Sequence, residues 1–178
     1  MLGILRRKGI TEEEKYVEKQ IKRVEELSQY SIWQELAEMS IKKLPEEKRQ
    51  IYEKKLEDAK YRGSKRKLEE IIENAKRDNI SFSALRLGEN LLRNIPENER
   101  RHYQTKLNKV KLDLYLWEIG KGSLSLVEEA KQLIGNIDDL EEKMKYEGCL
   151  YMAISEGRKA YEENRREALV KSCFPNAP

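Results

Sequence analysis

The 178-residue chain carries one line twice: Leu36–Leu56 recurs as Leu87–Leu107. Pro45 and Pro96 set the register at 51 residues, and there Leu36, Glu38, Pro45, Glu46, Arg49, Tyr52, Lys55 and Leu56 meet Leu87, Glu89, Pro96, Glu97, Arg100, Tyr103, Lys106 and Leu107. Average residue usage would give roughly one or two identities over such a stretch. Ala37/Gly88, Ile41/Leu92, Lys42/Arg93 and Leu44/Ile95 are conservative pairs besides. A duplication with a period of tens of residues points to stacked supersecondary units, each burying a face of its neighbour. A looser echo follows at Ile134–Leu150, with Ile137-Asp138 in place of Leu44-Pro45 and Tyr146 in place of Tyr52.

The units are helical. Charged residues make up 39% and hydrophobic ones 38% of the chain, with only 9 Gly and 4 Pro. Apolar residues recur at helical rather than alternating spacing, which excludes both a strand-rich fold and a disordered polyelectrolyte. Thr11 with Glu12, Glu13 and Glu14 forms a capping box ahead of Val17, Ile21, Val24 and Leu27. Ser31 opens a second helix with Ile32, Trp33, Leu36, Ala37 and Ile41 inward, and Pro45-Glu46-Glu47 opens a third carrying Tyr52, Leu56 and Ala59. Gly63-Ser64 reads as the end of that helix and the start of a fourth, which carries Leu68, Ile71 and Ile72 up to Asp78-Asn79. Ser81 or Ser83 starts the fifth, and Pro96 opens a sixth with Tyr103, Leu107, Val110, Leu114 and Trp117 in a seam ended by Gly120-Lys121-Gly122. The seventh carries Val127, Ala130, Leu133 and Ile134; the eighth places Leu140, Met144, Leu150, Ala153 and Ile154 inward, with Cys149 as a small core residue. The expectation is an all-α chain of about eight antiparallel helices, forming an α-solenoid or a compact bundle. It comprises a loose segment over 1–10, one domain over 11–170 and a flexible tail over 171–178.

The small residue in the middle of the second and fifth helices (Ala37, Gly88), followed by a Leu-Pro or Ile-Pro junction, resembles tetratricopeptide-like repeats. The resemblance covers about 31–151 and implies an α-solenoid of stacked helical hairpins. The period here is longer than the ~34 residues of that family, and the resemblance brings no specific function with it.

Catalytic constellations are missing from the sequence. His102 is the lone histidine, the two cysteines are far apart, and no Glu-x-x-His marks a di-iron bundle. Acid pairs such as Glu46/Glu47 and Asp138/Asp139 stand at helix N-termini, where the dipole accounts for them. Gly120-Lys121-Gly122-Ser123 follows a helix and lacks the upstream glycine of a phosphate loop. No cofactor, no metal and no enzymatic activity are expected. No stretch approaches the ~20 apolar residues of a membrane span. Met1–Lys8 places its charges after its apolar residues, the wrong order for a secretory signal. The cysteine usage suits a reducing, cytoplasmic compartment.

The charge is uneven: residues 61–110 carry 12 basic and 7 acidic groups, whereas 111–178 carry 10 and 13. The expected function is therefore a protein–protein interaction module, an adaptor or a subunit of a larger assembly. An acidic or amphipathic partner segment would enter a groove anchored by Trp33 and Tyr61 and rimmed by Arg62, Arg66, Arg86, Arg93, Arg100 and Arg101. Tyr30, Tyr115 and Tyr161 are further candidate anchors. The alternative is a nucleic-acid-binding accessory protein using the same basic middle. Homodimerisation through the last helix is a hypothesis for self-association.

Overall fold

The computed structural model describes residues 10–27, 31–75 and 81–173. They form α1 (Glu12–Glu26), α2 (Ser31–Ile41), α3 (Glu46–Ala75), α4 (Phe82–Leu91), α5 (Glu97–Gly120), α6 (Val127–Gly135) and α7 (Leu140–Cys173). Short 3-10 turns at Leu92–Asn94 and Leu124–Leu126 follow α4 and precede α6. No described residue is in a strand. The all-α class holds, with seven helices rather than about eight. The difference is Gly63-Ser64, which lies inside α3 instead of separating two helices. Both residues are buried, and Ser64 Oγ accepts a 2.9 Å bond from Asn94 Nδ2, so tertiary contacts hold a helix there that glycine alone would weaken. Asp78-Asn79, the Met1–Lys8 segment, Tyr30 and the Phe174–Pro178 tail lie outside the described residues.

Helix starts follow the local chemistry. Thr11 and Glu14 form the reciprocal capping box, with Thr11 N donating to Glu14 Oε2 at 2.8 Å and Glu14 N to Thr11 Oγ1 at 3.3 Å. Ser81 Oγ accepts from Ala84 N at 3.2 Å, and Asp139 Oδ1 from Glu142 N at 2.7 Å. The duplicated prolines behave alike: the Pro45 carbonyl accepts from Lys48 N and Arg49 N, and the Pro96 carbonyl from Glu99 N and Arg100 N. Arg49 Nε donates to the Leu44 carbonyl at 2.9 Å, and Arg100 Nη2 to the Ile95 carbonyl at 3.0 Å. Leu44 and Ile95 are buried, so each arginine satisfies a carbonyl that water does not reach.

The repeat extends beyond the duplicated line. At the same offset of 51, α1 falls on the second half of α3, so Val17 and Ile21 match Leu68 and Ile72. A third copy follows at offsets of 42 to 44, where Leu112 and Leu116 take those places. The short helices contribute Ala37, Ile41 and Leu44, then Gly88, Leu92 and Ile95, then Ala130, Ile134 and Ile137. The closing long helices contribute Tyr52, Leu56 and Ala59, then Tyr103, Leu107 and Val110, then Tyr146, Leu150 and Ala153. Every one of these residues is buried or half-buried. Each copy is therefore long helix, short helix, long helix, with α3 and α5 each serving two copies.

By compactness the chain divides into two units, 1–104 and 105–178. The first has a core of Val17, Ile21, Val24, Ala37, Ile41, Leu44, Tyr52, Leu56 and Ala59. The second gathers Leu112, Tyr115, Ile119, Ala130, Ile134, Leu150 and Ala153. In the second unit α5 and α7 touch at glycine: a Cβ on Gly157 would lie 1.9 Å from the Ile119 carbonyl oxygen. Gly157→Ala should therefore destabilise the fold by about 2 kcal/mol, equivalent to a Tm loss of roughly 4–8 °C in a chain this long. A thermal melt unchanged by that substitution would show that the helices do not approach so closely.

Candidate protein-binding surfaces

The long helices of each copy are joined by four polar residues at equivalent positions. In the first, Glu14 and Glu18 of α1 face Lys48 and Tyr52 of α3: Lys48 Nζ lies 2.6 Å from Glu14 Oε2, and Tyr52 Oη donates to Glu14 Oε1 at 3.3 Å. In the second, Lys65 and Glu69 of α3 face Glu99 and Tyr103 of α5, with Lys65–Glu99 at 2.9 Å and Tyr103 Oη donating to Glu69 Oε1 at 2.8 Å. In the third, Lys109 and Asp113 face Glu142 and Tyr146, with Lys109–Glu142 at 2.7 Å and Tyr146 bonded to Asp113. The offset of 51 carries Glu14 onto Lys65 and Lys48 onto Glu99, so the ion pair is kept with its charges exchanged. The tyrosine stands four residues after the pairing residue each time, which is one helical turn.

These contacts shift the ionisable groups, all but Asp113 further into their resting charge states. The Lys48 ammonium, then the Thr11 amide, lower the Glu14 carboxyl to about 2. Lys65 lowers Glu99, and the Tyr61 hydroxyl, then Glu99, raise Lys65. Burial, then Glu14, raises Tyr52 to about 12; burial, then Glu69, raises Tyr103 to about 12. Burial likewise raises Tyr146 and Asp113.

The basic and aromatic residues singled out from the sequence are spread over several elements. Trp33 is half-buried against the core of the first unit, with the Arg23 guanidinium 4.5 Å from its ring centroid. Tyr61 Oη donates to Glu99 Oε1 at 2.8 Å and accepts from Lys65. Arg62 grips Glu25 through two bonds, at 3.1 and 2.9 Å. Arg66 caps the end of α1 through the Glu25 and Glu26 carbonyls, and Arg100 binds the Ile95 carbonyl. Arg86 on α4, Arg93 on the following 3-10 turn and Arg101 on α5 are exposed. Tyr115 is buried and Tyr161 exposed.

Some apolar residues expected inward face out instead. Ile32, Trp117, Leu140 and Met144 are exposed, as is Cys149. Trp117 carries the Lys121 ammonium 3.0 Å from its ring centroid, a cation–π cover rather than a core contact. Leu140 and Met144 lie on the side of α7 turned away from Tyr146, Leu150 and Ala153, because the helix twist separates their apolar spacing from the core line.

Clefts open among the described residues of the first unit. One of about 330 Å³ between α2 and α3 is lined by Glu38, Ile41, Lys42, Glu53, Leu56 and Glu57. Another, of about 310 Å³ between α3 and α4, is lined by Lys67, Glu70, Ile71, Asn74, Ser83, Ala84 and Leu87. The offset of 51 explains the second: Asn74 and Ala84 stand where the first copy has Arg23 and Trp33. In the first copy those two positions carry a stacked guanidinium and indole. Sequence comparison reached Trp33 as an anchor but missed its empty counterpart, since the duplicated line begins after both positions.

No described helix is long and apolar enough to cross a membrane. No protein-family model, curated protein or solved structure matches the chain.

Two predictions concern the polar contacts. Glu14 has a folded pKa below its ordinary 4.5, so its contribution to stability is complete above about 4.5 and is lost as pH falls toward about 2. Glu14→Gln should lower Tm at neutral pH and flatten the acid loss of Tm; parallel melting curves for the two proteins across that range would contradict this. Lys65→Glu and Glu99→Lys should each lower Tm, and the double exchange should restore most of it, because the first copy already holds the opposite polarity. Strictly additive losses in that double-mutant cycle would show that the pair is not coupled.

Proposed function

We propose that the chain is a non-enzymatic, tetratricopeptide-like repeat module that binds a partner protein through the α3–α4 groove. The observation behind this reading is the replacement of Trp33 and Arg23 by Ala84 and Asn74 at equivalent positions. The first copy contains its own occupant, an indole held under a guanidinium. The second leaves an apolar floor of Ile71, Ala84 and Leu87 between the polar side chains of Lys67, Glu70, Asn74 and Ser83. A partner's aromatic or aliphatic side chain, presented on a helix or extended segment, would do there what Trp33 does in the first copy. The net positive charge of residues 61–110, with Arg86 and Arg93 exposed on and just after α4, favours an acidic or amphipathic segment.

Phosphate recognition by the basic middle is the weaker reading. Arg62, Arg66 and Arg100 each spend hydrogen bonds on acceptors within the chain. Nucleic acid would have to displace those contacts before counterion release could favour binding.

The test is a peptide library displayed on phage and selected against the wild-type protein. Selected peptides should carry a recurring apolar or aromatic anchor. Their affinity should fall at least tenfold, about 1.4 kcal/mol, against Asn74→Arg/Ala84→Trp, a variant that gives the groove the occupant of the first copy. Binding should change little between low and high salt. Peptides that bind the filled variant as tightly as the wild type would overturn the groove assignment.

A further inference from the structure

The α2–α3 cleft has an acidic rim that the repeat does not require. Glu38, Glu53 and Glu57 line it together with Lys42, over a floor of Ile41 and Leu56. At the offset of 51 the places of Glu53 and Glu57 are held by Gln104 and Asn108. The second copy therefore builds the same helices with neutral side chains at those positions.

One cation of the chain already uses this rim. Lys60 Nζ lies 3.0 Å from Glu38 Oε1 and 2.9 Å from Glu57 Oε1. Glu53 stands four residues before Glu57, one turn along the same face of α3, and is exposed. No described residue forms an ion pair with it. The cleft beside it encloses about 330 Å³, which leaves room for aliphatic as well as basic side chains. Its occupant should therefore join positive charge to apolar groups.

Residues 1–9, which lie outside the described residues, have that chemistry. They read Met1-Leu2-Gly3-Ile4-Leu5-Arg6-Arg7-Lys8-Gly9, with three cations, no acid and four large apolar side chains. The segment also joins the described chain close to the cleft. Thr11 N is 2.8 Å from Glu14 Oε2, and Glu14 Oε2 is 2.6 Å from Lys48 Nζ. Lys48 stands five residues before Glu53 on α3. Those two contacts, one lysine side chain and five helical residues put the Thr11 nitrogen within about 20 Å of the Glu53 backbone. Arg6 is five residues before Thr11, a reach of about 17 Å for extended chain, and the arginine and glutamate side chains span the rest. Lys67, where the α3–α4 groove begins, is about 21 Å farther along α3, so that groove stays open to a partner.

We propose that residues 1–9 fold back onto the α2–α3 cleft, placing Arg6 and Arg7 beside Glu53 and Leu5 over Ile41 and Leu56. The cleft is then an internal docking site whose occupant is the chain's own N-terminal segment. The docking does not rest on the α3–α4 groove.

The test is trypsin cleavage of the full chain after Arg6, Arg7 and Lys8, timed by mass spectrometry, because the residues that dock are also the residues that trypsin cuts. Glu53→Lys should speed that cleavage about fivefold, since cutting follows the fraction of segment that is undocked. High salt should speed it in the wild type as well. Glu53 is exposed and makes no ion pair within the described chain, so the variant should keep its helical circular-dichroism spectrum. Glu13→Lys, next to the segment on α1, and Glu35→Lys, exposed on α2, control for a general effect of charge and should leave the rate as it is. Equal rates in the wild type and Glu53→Lys overturn the proposal, as does a wild-type rate indifferent to salt. An acceleration as large in either control overturns it too. Each of these results leaves the groove reading standing, because peptide binding at Ala84 is measured separately.

Discussion

A tyrosine carried into the interface between two long helices has to find an acceptor for its hydroxyl, and the rest of the architecture follows from how that is met. Tyr52, Tyr103 and Tyr146 each bond a carboxylate on the preceding long helix. A carboxylate held at a partly buried helix interface is costly without a cation, and a lysine–glutamate pair lies within one turn of each tyrosine. The four groups fix the axial register of one long helix on the next, which apolar packing alone would leave free to slide. The pair reverses its polarity between Glu14–Lys48 and Lys65–Glu99, so geometry is what the fold retains while the order of the charges is exchanged.

Function, on this view, sits where the repeat departs from itself. Positions that agree in all three copies are core or clamp: Ala37, Gly88 and Ala130 at the short helices, Leu56, Leu107 and Leu150 on the long ones. Two departures stand out against that background. Ala84 and Asn74 line a groove at the positions where the first copy carries Trp33 and Arg23, and the α7 stripe of Leu140, Met144, Tyr151 and Met152 replaces charge with large apolar groups. Both changes open surface that the other copies cover or solvate with charge, while Glu14, Lys65 and Glu99 of the clamps are held in their charged forms by their neighbours.

The junctions between helices were legible in the sequence; the full repeat units were not. Leu-Pro and Ile-Pro, Arg49 and Arg100, Tyr52 and Tyr103 are legible because identical residues solve an identical local problem. The equivalence of α1 with the second half of α3 was not, because there the match is of burial and not of identity: Val17 with Leu68, Glu14 with Lys65. The looser echo at Tyr146 was visible, yet its meaning depended on finding Asp113 beside it. The groove escaped notice because a cleft is made by what is missing from Ala84 and Asn74, and small residues leave no signal of their own.

The amino-acid sequence by itself determined the helical class, the capping of α1, the start of α4 at Ser81 or Ser83, the start of the long helices after Pro45 and Pro96, and the break at Gly122, whose φ of +107° suits glycine. Those features are set by interactions within a few residues, where side-chain chemistry and backbone preference act directly. Only the tertiary structure decided that α3 runs unbroken through Gly63-Ser64, that Leu140 and Met144 face outward while Leu150 and Ala153 face in, and that Glu69 rather than solvent receives the Tyr103 hydroxyl. Each of these depends on which surface another helix covers, and burial between residues tens of positions apart outweighs the local preference of a single glycine or the apolar character of a single leucine.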